Sequence, residues 1–393
     1  MDSKFQIEEV VDAPSKQEFL ELPVRLYKNE PNWIRPLDSE VEAVFDPGKN
    51  KMFQRGTCCR WILKNADGLT VGRVAAFIDY KTRDLGEFPI GGMGFFECID
   101  DRDAAFKLFD CCTNWLKDQE IEAMDGPINF GDRHQWWGLL VDGFHKPLYG
   151  MPYSLPYYRN LFESYGFKTY FEQYTYKTKF SVESLSEIIA WKAQRIERNP
   201  DFSIVHFNEK DWTKYIRDFV YIYNEAWVST IPGVEAMTEE QALENFNSLR
   251  SVLHKKLLWF AYYKDEPIGF FIMSPDMNEV IEGGNGRFGW LAKLKFLHYK
   301  YIKKNKNAVG LIFGVVPAFQ SKGVDAAMIY QFSKEGFNPN FPFETLEMNW
   351  IGDFNPRMMH MMEHIGAKIY KTHITFRKLF DEKKKFERSP IIK

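Results

Sequence analysis

Cysteine is scarce in this chain and carries no pattern. Its five cysteines, Cys58, Cys59, Cys98, Cys111 and Cys112, are odd in number and lie partly as adjacent pairs. No Cys-x-x-Cys spacing occurs, so neither a disulfide framework nor a zinc site is indicated, and buried free thiols in a reducing compartment are the reading. Long apolar runs are missing too. No stretch approaches the roughly 18 to 20 apolar residues of a membrane span. The start, MDSKFQIEEVV, has no apolar segment behind a basic one and does not read as a signal peptide. A soluble, cytoplasmic protein without an integral membrane segment is the expectation. An excess of one charge is also lacking. With 51 Lys and Arg against 54 Asp and Glu the net charge is -3, which argues against a general electrostatic grip on nucleic acid and leaves only local patches. The eight histidines show no metal-site spacing and there is no Gly-x-Ser-x-Gly elbow, so no metal is expected and a Ser-His-Asp hydrolase is set aside.

What is abundant is length and aromatic side chains. At 393 residues the chain exceeds one ordinary core, and two domains of somewhat under 200 residues each are favoured. Phe, Tyr and Trp make up 17% of it, which suits large aromatic cores or an apolar groove. A weak internal repeat supports two units. PYYRNLFESYGFKTYFEQYTYKTKF reads as a helix stopped by Gly166 and followed by a strand pair. NPRMMHMMEHIGAKIYKTHITFRKL repeats that order, with Gly366 at the helix end. Upstream in each half a hairpin is predicted, at Arg60 to Tyr80 and at Leu257 to Met273, and then a helix, at Asp103 to Lys117 and at Val324 to Glu335. This order predicts an α/β fold with mixed central sheets flanked by helices. The divisions expected are 1–180, a connecting helix at 181–199, 200–380, and a charged tail at 381–393.

The run LIFGVVPAFQSKGVDA, Leu311 to Ala326, holds the strongest chemical signal. A β-branched strand empties through a Gln-x-x-Gly turn into a helix, leaving the first helical amides aimed at one spot, which suits phosphate. The corresponding segment of the first half, GFFECIDDRDAAFKL, has Asp100, Asp101 and Asp103 at the helix start and no glycine turn. Those carboxylates cap a helix well and oppose a pyrophosphate.

The Gln320–Gly323 spacing resembles the pyrophosphate-binding motif of the GNAT superfamily of N-acetyltransferases, and the order of elements looks like that fold occurring twice. The architecture is similar to N-myristoyltransferase and the Fem transferases of the peptidoglycan bridge, and the chain looks closest to a group of bacterial GNAT proteins. The resemblance implies an acyl-CoA-dependent N-acyltransferase with acetyl-CoA or a longer acyl-CoA as co-substrate, bound in the second half, while the first half lacks a CoA site. It further implies that Val315 and Val316 offer backbone groups to the pantetheine arm, that Gln320, Ser321, Lys322 and Gly323 hold the pyrophosphate, and that Asn355 contacts the cofactor. Two positions depart from the family pattern. Asp325 replaces a small residue, and Met362 stands where many members carry a Tyr that protonates the leaving thiolate; Tyr370 and His364 are nearby substitutes.

Forming an amide from a thioester also needs a base for the amine. Glu347, Asp276 and Glu235 are the candidates, burial being the means of raising a carboxyl toward neutrality. Asn224 and Trp227 are expected to line an acceptor pocket or to seal the domain interface, and the long loop around Asp132, Arg133 and His134 reads as substrate surface. The acceptor is a small-molecule or lipid amine, a lipid-linked amine such as a bacterial ceramide synthase uses being one version. A homo-oligomer is compatible with the sequence. The competing class is a non-catalytic acyl-CoA-binding or sensing protein with a degenerate site. A tRNA-dependent aminoacyl transferase is disfavoured by the net charge and by reading no basic run outside the tail.

Overall fold

The computed structural model describes residues 4–131, 133, 135–180, 185–228, 235–250, 252–301 and 306–392; Asp132 and His134 lie outside these. The first half runs β1 (Phe5–Glu9), α1 (Ala13–Leu26), α2 (Asp38–Val44), β2 (Gly56–Asn65), β3 (Thr70–Asp79), β4 (Ile90–Cys98), α3 (Arg102–Lys117), β5 (Ala123–Gly126), β6 (Leu139–Asp142), α4 (Tyr158–Tyr165) and β7 (Lys168–Lys179). Helix α5 (Glu187–Glu197) follows. The second half runs β8 (Phe202–His206), α6 (Trp212–Tyr223), α7 (Glu239–Leu249), β9 (Leu258–Tyr263), β10 (Glu266–Pro275), α8 (Asn278–Ile281), α9 (Trp290–Tyr301), β11 (Asn307–Val315), α10 (Val324–Gly336), β12 (Thr345–Gly352), α11 (Pro356–His364) and β13 (Lys368–Leu379). Apart from β6, α8 and α9, the halves repeat element for element.

Local chemistry explains the punctuation. Asp12 and Ser15 cap α1 reciprocally, and α4 ends where Gly166 takes φ 97°, a left-handed conformation that only glycine adopts freely. Gly366 does the same after α11, at φ 67°.

Among the described residues thirteen strands join one sheet, in the order β1-β2-β3-β4-β5-β13-β7-β12-β11-β10-β9-β8, with β6 beside β13. Two features differ from the sequence reading. The segment after each glycine stop is a single long strand rather than a pair. These closing strands are also exchanged: β13, from the chain's end, pairs with β5 of the first half, and β7 pairs with β12 of the second. They run antiparallel to each other at the centre. Each half keeps its own hydrophobic core, one around Phe96, Phe109 and Phe162 and the other around Phe260, Phe270 and Phe332. The paired strands β7 and β13 carry buried polar side chains, among them Gln173, Thr175, Lys371 and His373.

Candidate active site

Strands β11 and β12 run parallel and pair only from Asn307↔Thr345 to Gly310↔Met348. Beyond that point they part. On the other edge of β11 the ladder to β10 skips Leu311, passing from Ile272↔Ile312 to Met273↔Gly310. Such a bulge bends a strand and frees backbone groups, a device common beside active sites. The opening between the strands leads into a cavity of about 380 Å³ lined by Phe271, Phe313, Phe332, Met348, Met361 and Met362 among others. Its volume is within the ~300–1,000 Å³ range of small-ligand sites, and its walls are largely apolar.

At the end of β11 the predicted turn forms. Gln320 Nε2 donates to the carbonyl of Val315 at 3.0 Å, Ser321 takes φ 60° and Gly323 φ 92°, and α10 starts with no side-chain cap. Its first amides therefore face outward unpaired by the helix. The matching helix of the first half is closed: Asp101 accepts the amide of Ala104 and pairs with Lys4 at 2.7 Å. Helix α5 packs along α10. Arg195 Nη2 donates to the Lys322 carbonyl at 2.7 Å, and Lys192 lies against Gly323. Lys192, Arg195 and Lys322 thus surround the turn and outnumber Asp325. The sequence reading had left Lys192 and Arg195 in a connector; their spacing of three on a helix beside the glycine turn was the available signal.

Among the described residues of the first half, the corresponding split is filled. There β4 and β5 pair from Ile90↔Ala123 to Gly92↔Asp125, and the next residues fill the gap: the Ile128 amide donates to the Met93 carbonyl at 2.8 Å, while Phe95, Phe130 and Trp137 pack behind it. A Cβ on Gly94 would lie 1.9 Å from the Ile128 carbonyl oxygen.

The other expected residues divide. Val316 has its amide bonded to Ile268 and its carbonyl to Phe319, so both backbone groups are already engaged inside the protein. Asn355 lines the cavity, and its side chain caps α11 by accepting from Met358. Met362 is buried in the cavity wall. Trp227 also lines the cavity; it sits in a π-helical turn, stacked on Phe270 and Tyr223. Asn224 instead exchanges two hydrogen bonds with the backbone of Met237, tying the end of α6 to the residue before the α7 cap.

None of the three candidate bases lines the cavity. Glu235 is exposed and bridges Arg55 (2.6 Å) and Lys81 (2.5 Å) of the first half; the Lys81 hydrogen bond and the Arg55 charge hold its carboxyl below the usual range. Glu347 alternates with the cavity-facing Leu346 and Met348 and points to the opposite face. There it accepts from Lys371 (2.7 Å), Lys177 (2.9 Å) and Asn307 (3.3 Å). Burial pushes its carboxyl up, but the two lysines pull harder and set it below the usual value, opposite to the direction that burial alone dictates. Asp276 is different. It is buried after β10, accepts the amides of Asn278 (3.0 Å) and Tyr149 (3.4 Å), and burial with the nearby Glu347 charge pushes it up to about 7.

Lys177 and Lys371 belong to a buried polar strip that sequence reasoning missed. It runs along the exchanged strands through Gln173, Thr175, His373 and Thr375. Thr375 donates to Gln173 and Thr175 to Asn349. The first-half loop covers this strip, with Gln173 donating to the Trp137 carbonyl. His373 Nε2 faces the Pro152 carbonyl at 3.3 Å, its Nδ1 has no partner among the described residues, and burial pushes it down to about 4, so the ring is neutral. Alternating polar residues in KTHITF were the visible sign of an inward polar face.

This geometry, a splayed parallel pair with a bulge and a glycine turn at an uncapped helix, repeated in degenerate form in the other half, is a tandem GNAT fold. A tandem GNAT protein from the clavulanic acid biosynthesis pathway superposes with a TM-score of 0.53 at 8% identity, covering 96% of this chain and 99% of that one, which establishes the fold. Among curated proteins the chain is similar to the bacterial ceramide synthase of Caulobacter vibrioides, 27% identical over 379 residues that span 94% of this chain and 96% of that protein. It is also similar to protein YghO of Escherichia coli K12, 25% identical over 370 residues spanning 92% of each. No family model matches the chain. Among the described residues, no group of three or more His, Cys, Asp and Glu is arranged to hold a metal ion, and no helix is long and apolar enough to cross a membrane. The uncapped α10 turn with Lys192, Arg195 and Lys322 around it suits an anionic phosphate group.

Proposed function

We propose that this protein is an acyl-CoA-dependent N-acyltransferase that moves an acyl group, longer than acetyl, onto a lipid amine. The observation that carries this reading is the apolar cavity opening from the β11–β12 split beside the α10 turn. Acetyl transfer needs no such room, whereas each methylene buried in the cavity stabilises a bound chain by about 0.8 kcal/mol. The likeness to a protein named bacterial ceramide synthase points the same way for the acceptor.

In this reading Gln320, Ser321, Lys322 and Gly323, with Lys192 and Arg195, hold the pyrophosphate, and the CoA site belongs to the second half alone. The amine approaches from the polar strip between the halves. Asp276, titrating near 7, takes a proton from the ammonium. The neutral nitrogen then forms its bond to the acyl carbon as the carbon–sulfur bond breaks, and the second proton that nitrogen sheds on becoming an amide passes to solvent, from which the thiolate is neutralised. Met362 has no proton to give, so the thiolate leaves to solvent. A second reading, an acyl-CoA-binding protein without turnover, is favoured by the absence of Asp276, Glu347 and Glu235 from the cavity wall.

Calorimetric titration with CoA, acetyl-CoA and palmitoyl-CoA, beside a Gly323→Glu variant, tests the cofactor site. Affinity should rise roughly fourfold per methylene until the cavity fills, and fall in the variant. No binding by any of the three sinks the proposal. Release of thiol on adding a long-chain amine then separates enzyme from binder: tight binding without release supports the second reading.

A further inference from the structure

The connection between β10 and β11 breaks the internal repeat. The corresponding hairpin of the first half spans residues 80–89, whereas this one spans 276–306 and contains α8 and α9. Its sequence is unlike the rest of the chain. Residues 287–306 carry seven Lys or Arg, and no Asp or Glu occurs from 283 to 324, in a protein whose net charge is -3. Reading the tail as the only basic run was therefore wrong; whole-chain charge concealed this one.

The structure also turns apolar side chains of this insertion outward. Trp290 is 70% exposed, Leu294 54% and Leu297 48%, and Phe288 just before the helix 42%. Positions 290, 294 and 297 share one stripe of an α-helix. The base of the insertion is anchored, so the stripe has a defined direction. The Asp38 amide donates to the Gly286 carbonyl, Lys146 pairs with Glu282, Lys295 donates to the Glu282 carbonyl, and Glu279 accepts the amides of Lys306 and Asn307.

We propose that α9 is an interfacial helix that seats the protein on an anionic phospholipid bilayer. Trp290, Leu294 and Leu297 enter the boundary between headgroups and acyl chains, the depth at which Trp and Leu are best accommodated. The excess of Lys and Arg in this segment draws it to lipid phosphate, each cation not already paired within the protein raising partitioning roughly fivefold near an anionic surface. Charge decides among occupants. A second copy would set two segments that hold no Asp or Glu from 283 to 324 against each other, and nucleic acid would leave the Trp-Leu stripe in water.

The test is sedimentation of the full chain with vesicles of phosphatidylcholine alone or with about 30% phosphatidylglycerol, using the wild type, the triple variant Trp290→Asp/Leu294→Asp/Leu297→Asp, and Leu243→Asp as a control at an exposed leucine on α7. The wild type and the control should pellet with anionic vesicles at least about tenfold better than with neutral ones. That binding should fall at about 0.5 M salt, and the triple variant should lose it by about tenfold or more. An unchanged thermal midpoint in the triple variant shows that loss is not unfolding. Equal pelleting by triple variant and wild type overturns the proposal. So does indifference to vesicle charge, self-association abolished by the same substitutions without vesicle binding, or preferential binding to a DNA or RNA oligomer.

Discussion

Lys371 on β13 donates to Glu347 on β12 at 2.7 Å, with both side chains sealed from water. The two strands are not neighbours; β7 lies between them and adds Lys177 to the same carboxylate. Removing the acid strands a buried ammonium, a change that typically costs about 3–5 kcal/mol. Glu347→Gln should therefore lower the unfolding free energy by about 3 kcal/mol, and Glu347→Leu combined with Lys371→Met should recover most of that loss. Glu347 sits below its ordinary 4.5 in the folded state. Its contribution is therefore complete above pH 4.5 and is lost as pH falls through the lower folded value. Urea unfolding at neutral and acid pH checks both statements, and a double variant as weak as the single one refutes the first.

Asp276 titrates with the opposite sign. Its carboxyl is raised from 3.8 to about 7, so between those values the folded protein keeps a proton that the unfolded chain has released. Stability should fall as pH rises from 3.8 to about 7 and then level off. Asp276→Asn removes this dependence and should raise stability at pH 8 by up to about 4 kcal/mol. If Asp276 is the base, the same substitution lowers kcat/KM by about a hundredfold or more and abolishes the rising limb near pH 7. A limb that survives in the variant would acquit this residue.

The parts of this molecule legible in its sequence are those set by local chemistry. Gly166 and Gly366 announce helix ends because only glycine takes those dihedrals freely, and the Gln320–Gly323 turn is read the same way. The exchange of β7 and β13 left no local trace, since each strand's alternation is satisfied by any partner of matching pattern. Glu347 was found as a strand carboxylate, but its lysines come from strands distant in sequence, so its direction of titration was read from burial alone. Trp227 and Asn224 are expected to line an acceptor pocket or to seal the domain interface; Trp227 lies on the cavity wall, whereas Asn224 serves the backbone of Met237.

Arg195 offers a test of the phosphate turn that keeps the turn's own residues. Its guanidinium reaches the Lys322 carbonyl from α5, beside the uncapped amides of α10. A charge-assisted contact with a phosphate contributes about 1.5–3 kcal/mol. Arg195→Ala should then weaken CoA binding by about tenfold or more while leaving the affinity for an acyl-pantetheine, which lacks the pyrophosphate, unchanged. Equal losses for both ligands would mean that the arginine acts only by holding the helix pair together.

Gly314 and Trp227 provide the most stringent check on the cavity's inner wall. A Cβ on Gly314 would lie 2.3 Å from Trp227 Cη2 and 2.5 Å from Cζ3, and Trp227 is already pinned between Tyr223 and Phe270. Gly314→Ala therefore forces the indole away from β11, at an overpacking cost of about 1–3 kcal/mol, and should weaken long-chain acyl-CoA binding in step. Trp227→Phe deletes the two ring atoms in the way. If the indole seats on Gly314 as described, the double variant should be more stable than Gly314→Ala alone, with a coupling of about 1 kcal/mol or more in a double-mutant cycle on unfolding. Simple additivity would place Trp227 elsewhere and remove it from the wall against which the acyl chain is proposed to lie.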